Sequence, residues 1–256
     1  MGLEIQRASM WKRISAWLFD SILMVSVVVL VAYVLSGMLH YDQHNARLNA
    51  AYEKYQTQFH VEFGQPEAAE DATDEEKEAY KLRYAEAEEA LKSDPEAIEA
   101  YGKVSNLVLL IPTISLFVAM LLMEFIIPML LKNGQTLGKK IFSLGVVRVD
   151  AVKMSGVQTF VRAILCKYTV GLMIPLYMLI FMILGVMGGM AVLIALGLLL
   201  AQVLCPLFNR DHRGLHDLLS GTVTVDLPSQ KVFNDAQERL DYMKKVHAEN
   251  AARQDY

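Results

Sequence analysis

From Ile14 to Leu39 the sequence ISAWLFDSILMVSVVVLVAYVLSGML runs for about 26 residues with a single charge, Asp20. At about 1.5 Å of rise per residue, a helix of that length crosses a hydrocarbon core roughly 30 Å thick. The stretch from Trp11 to Leu39 therefore predicts a membrane-spanning helix. Asp20 follows Arg13 by two helical turns, which puts both on one face. An unpaired carboxylate in a membrane helix costs from about 2.5 kcal/mol upward, so Asp20 is expected to face protein and to pair with Arg13. Two readings of that pair stay open. It is a salt bridge that locks helix packing, or a cation or proton site in which the arginine tunes the acid.

The other apolar residues also come in long blocks. The chain is 54% hydrophobic with mean hydropathy +0.30 and net charge −4, which excludes an ordinary soluble domain and gives no basic excess for nucleic acid. The first block, preceded by Arg7, Lys12 and Arg13, is longer than a signal-peptide core and lacks an A-x-A site, so it is read as a retained anchor. Cys166 and Cys205 both lie in apolar blocks and indicate no disulfide framework.

Residues 40–102 change character. They hold 16 Asp and Glu against 6 Lys and Arg, a local net charge of −10. Leu48, Tyr52, Tyr55 and Phe59 form one helical stripe, and Tyr80, Tyr84, Ala87 and Leu91 a second. Gly64-Gln65-Pro66 breaks the first. Thr73 with Glu76 opens the second as a capping box, and Asp94-Pro95 starts a further helix. The pattern fits a helical hairpin packed face to face, or a solvated acidic spacer.

A second span is expected from about Val104 to Leu131, kinked at Pro112 and carrying one acid, Glu124. Glu124 either snorkels or meets a nearby lysine, or it joins the polar cluster of Arg13 and Asp20. A basic segment with Lys132, Lys139, Lys140, Arg148, Lys153 and Arg162 follows. In it Thr136-Leu137-Gly138-Lys139-Lys140 reads as a short amphipathic helix and Leu144–Val149 as a strand. Ala163 to Phe208 is too long for one span and reads as two, turned at Gly185 and Gly188-Gly189. Gly221–Leu227 is a second strand, able to pair with the first as a short β ribbon on the cytoplasmic side. The tail carries Phe233, Ala236, Leu240 and Met243 on one side of a weak amphipathic helix, lying on the membrane or binding a partner. Lysine and arginine crowd the segments before span one, between spans two and three, and after span four. That places both termini in the cytoplasm and the acidic hairpin outside.

The expected fold class is thus an all-α membrane protein of four transmembrane helices, with an acidic helical-hairpin insert and a short β ribbon. Its parts are residues 1–39, the hairpin 40–102, the remaining spans and loop 103–227, and the tail 228–256. Candidate site residues are Arg13, Asp20, Glu124 and Asp217, the last brought in if the segment 210–220 turns at Gly214 and folds back. His40 with His44, and His212 with His216 beside Asp211 and Asp217, have i, i+4 metal spacing. Each pair falls short of the three or four ligands of a zinc site, so no metal is assigned. No nucleotide-binding, nucleophile-elbow or H-E-x-x-H motif is present, which leaves no cofactor and no foothold for enzymatic catalysis.

Three stretches in order resemble the RDD family of membrane proteins, named for one arginine and two aspartates. They are the Arg13-x-x-Ala16-x-x-x-Asp20 spacing, NGQTLGKKIFSLGVVRVD followed by QTFVR, and RGLHDLLSGTVTV, with the likeness covering about residues 8–39 and 104–226. The resemblance implies Arg13, Asp20 and Asp217 as the named residues and a helical bundle in a bacterial inner membrane. It also implies either monovalent cation/proton antiport or an accessory role in a membrane complex. The leading expectation is a small cation/proton exchanger using Asp20, tuned by Arg13 and Asp217 and working as a homo-oligomer. The alternative is a non-transporting adaptor for another membrane protein, and a lipid-handling role is the third.

Overall fold

The computed structural model of the protein describes residues 6, 8–67, 72–131, 133–186, 188–209 and 212–254, so Arg7, Lys132 and Asp211 lie outside the described residues. In chain order the elements are α1 (Met10–Met38), α2 (Tyr41–Phe59), α3 (Asp74–Ser93), α4 (Pro95–Leu130), α5 (Leu137–Ile141) and β1 (Leu144–Arg148). There follow α6 (Gly156–Ile183), α7 (Gly189–Phe208), α8 (Leu215–Ser220), β2 (Thr222–Asp226) and α9 (Ala236–Gln254). Helices α1, α4, α6 and α7 are each long and apolar enough to cross a membrane.

Two spans begin earlier than hydropathy alone suggests, because capping rather than apolarity starts a helix. Asp94 accepts the Glu96 N–H at 2.9 Å, so α4 starts at Pro95 and not near Val104. Ser155 and Gln158 form a capping box that starts α6 at Gly156 and not at Ala163. Arg162 therefore lies inside the third span. Both α4 and α6 loosen into wider π-type turns, over Leu121–Ile126 and Val161–Met173, each followed within a few residues by proline. Proline cannot donate to the carbonyl four residues back. For Pro175 that carbonyl belongs to Gly171, and it is taken by Gln202 Nε2 from α7 at 2.6 Å. The widened turn of α4 lies at Glu124, ahead of Pro128, while Pro112 sits within regular α-helix.

The chain divides into two compact units, residues 28–116 and residues 1–27 with 117–256. In the first, the predicted hairpin forms. Thr73 and Glu76 make their capping box, and Leu48, Tyr55 and Ala87 are buried. Phe63 in the connecting turn stands edge-on between Tyr52 and Tyr84, with ring centroids 5.5 and 5.8 Å away. The Tyr80 hydroxyl ties the same turn down, accepting from Glu62 N–H and donating to the Gln65 carbonyl.

In the second unit β1 and β2 pair antiparallel, Leu144 opposite Asp226 and Val147 opposite Val223. Leu144, Val146, Val147, Val223 and Val225 are all buried, so both faces of this ribbon are covered. Phe233 is fully buried against Ala151 and Val152 and exchanges backbone hydrogen bonds with Ala151 and Lys153. It precedes α9 and is a core residue, not part of the apolar side expected of the tail helix.

Candidate functional site

The predicted acids sit in three separate arrangements within the second unit. Asp20 is 8% exposed. Its Oδ1 accepts the Gly138 N–H at 2.7 Å and its Oδ2 accepts a short hydrogen bond from the Thr136 hydroxyl. Thr136 is also the N-cap of α5, accepting from Lys139 N–H, so one hydroxyl both starts the helix and holds the acid. The approach is close enough to demand glycine. A Cβ at Gly138 would run into the Ala16 carbonyl oxygen and come within 2.9 Å of Asp20 Cγ. The T-x-G of the basic segment is thus a carboxylate cradle for span one.

Arg13 does not pair with Asp20. Among the described residues its ion pair is with Asp217, Nη2 to Oδ2 at 3.4 Å. Seven residues of helix amount to about 10.5 Å of rise, well beyond the i, i+4 spacing at which side chains meet, so one face is not contact. Asp217 is fully buried because α8 folds back as expected. Its principal partner is one the sequence reading left among the loop bases. Arg162 grips Oδ1 with Nη2 at 2.7 Å and Nε at 3.1 Å, and Thr222 donates to the same oxygen at 3.2 Å. Gly214 N–H donates to Oδ2. Burial opposes ionisation of Asp217, but the charges of Arg162 and Arg13 outweigh it and hold the carboxyl well below the usual carboxylate range. Next to it, burial drives His216 down to about 3, so this imidazole is neutral at physiological pH.

Glu124, 8% exposed, meets a lysine across spans: Lys167 Nζ of α6 donates a short hydrogen bond to its Oε1. Among the described residues its other oxygen, Oε2, is buried with no hydrogen-bond partner, as is Arg13 Nη1. Lys139, half-buried on α5, stands within the field of these groups. Burial is the main cause that lowers its ammonium to about 8, with Lys167 and Arg162 adding to the fall and Glu124 and Asp20 opposing it.

The sequence reading therefore found the three acids and Arg13 but missed Arg162, Lys167, Lys139, Thr136 and Gly138. One signal was available. Lys167 is the single charge between Ala163 and Phe208, and an intramembrane cation demands an acid. Among the described residues no group of three or more His, Cys, Asp or Glu is placed to hold a metal.

Four helices long and apolar enough to cross a membrane, together with buried pairs of acids and bases, define a helical integral membrane protein. The sequence profile of the RDD family matches residues 7–221, and the chain belongs to that family. No curated protein and no solved structure matches it.

Proposed function

We propose that this RDD protein is a non-enzymatic exchanger of a monovalent cation for protons in the bacterial inner membrane, with Glu124 rather than Asp20 as the exchanging acid. One observation carries this reading. Asp20 and Asp217 have both oxygens engaged by donors, whereas Glu124 keeps a buried oxygen uncommitted. Donors and arginines suit an anion that stays charged. A cation needs oxygen atoms left open to it. A buried site tolerates little added charge, so a cation arriving at Glu124 requires one positive charge, carried by a proton, to leave. One charge enters as another leaves, which is exchange.

The test is proton flux in vesicles holding the purified protein under an imposed sodium gradient. Wild type should alkalinise or acidify the lumen according to the gradient, and Glu124→Gln should abolish this in protein whose thermal unfolding is still cooperative. A second reading rests on the satisfied state of Asp20 and Asp217, which suits a fixed scaffold for another membrane protein. It gains if wild type moves no protons and Glu124→Gln instead breaks co-purification with a partner.

A further inference from the structure

Outside the membrane-embedded cluster, the unit of residues 28–116 holds a cleft of about 530 Å³ between α2 and the first turns of α4. Its floor is Ala50, Ala51 and Ala100, residues with nothing beyond Cβ, which leave a trough between the two helix backbones. The walls differ in sign. From α2 come His44, Arg47 and Lys54, recurring at helical spacing on one face. From the opposite side come Asp94, Glu96 and Glu99, with Lys103 at the far end. In a segment that carries net charge −10, the basic wall is a local reversal and not a sample of the surroundings.

The walls do not neutralise each other throughout. Lys54 reaches Asp94 at 3.3 Å, and Tyr55 donates to the same carboxylate at 2.9 Å, which closes one end. Glu99 turns along its own helix to Lys103 at 2.6 Å. Among the described residues neither Arg47 on one wall nor Glu96 on the other stands within ion-pair distance of an opposite charge, and Arg47 acts on Glu99 only through its field. Arg47, Lys54 and Lys103 balance Asp94, Glu96 and Glu99, so a net anion or a net cation gains little from the cleft as a whole. A molecule carrying both charges, separated along its length, gains at both walls.

We infer that this cleft is a binding site for a zwitterion with a free ammonium and a free carboxylate, an amino acid or a short peptide. Arg47 takes the carboxylate and Glu96 the ammonium, over the alanine floor. The inference is independent of exchange at Glu124, since the two lie in different compact units.

The test titrates full-length protein in lipid nanodiscs with triglycine, N-acetyl-triglycine and triglycine amide, followed by calorimetry. Triglycine should bind in the millimolar range and each blocked peptide about tenfold more weakly. Arg47→Gln should bind triglycine and its amide alike, because the carboxylate has lost its partner. Glu96→Gln should bind triglycine and the acetylated form alike. Both side chains are exposed, and unchanged thermal unfolding of each variant would show that neither loss comes from misfolding. Glycine matching triglycine narrows the ligand to a free amino acid, and glycine failing narrows it to a peptide. Equal binding of all three peptides, no heat from triglycine, or discrimination that survives both substitutions overturns the site.

Discussion

Asp217 shows how a buried acid in this protein is made tolerable. Arg162 contributes two hydrogen bonds at 2.7 and 3.1 Å, while Arg13 contributes one at 3.4 Å. Removing one partner of a buried pair leaves an uncompensated charge, at a cost of roughly 3–5 kcal/mol. Arg162→Ala is therefore expected to lower thermal stability in detergent by far more than Arg13→Ala, and equal losses would contradict the assigned ranking. His216 gives a pH dependence with a definite sign. Its folded pKa of about 3 lies below the model-peptide value of 6.5, so acid favours the unfolded chain, which takes up the proton that the folded chain refuses. Stability should fall as pH drops below about 6.5, by about 1–2 kcal/mol at pH 5, and His216→Gln should flatten the fall in melting temperature. Arg162 escaped the sequence reading because its charge placed it with the loop bases, and only the capping box at Ser155 moves it into the span.

At the scale of elements, the π-type turns show where prolines are absorbed. Gln202 caps the carbonyl that Pro175 leaves unpaired at Gly171, joining α6 to α7. Gln202→Leu preserves bulk and removes the donor, so it should cost about 1 kcal/mol of stability and no more than about 2. Hydrogen exchange should quicken around residues 169–174, and unchanged exchange there would count against the link. The tail is a second case. Its sequence reads as an amphipathic helix free to meet membrane or partner, yet Phe233 anchors its start in the core through backbone bonds with Ala151 and Lys153. Pairing of that kind joins residues some 80 positions apart, beyond what local periodicity reports.

At the scale of the whole molecule, the distribution of lysine and arginine leads to an orientation that labelling can check. A cysteine at Ser93 in the hairpin is expected to react with an impermeant reagent added outside intact cells, and one at Ser229 only after lysis, each in a background lacking Cys166 and Cys205. Inverted reactivity would reverse the topology. Span number, the acidic hairpin, the Thr73 and Asp94 caps and the two strands were all readable from the chain, because each depends on neighbours within a few turns or on apolar length alone. Which cation serves which acid was not. Arg13 and Asp20 share a helix face, but the rise of the helix keeps them apart, and the folded chain gives Asp20 to Thr136 and Gly138 and Asp217 to Arg162. The sequence by itself determined that charges had to be buried in a bilayer. The pairing was decided only by the tertiary structure, since ion pairs are selected by distances between helices that no local pattern encodes.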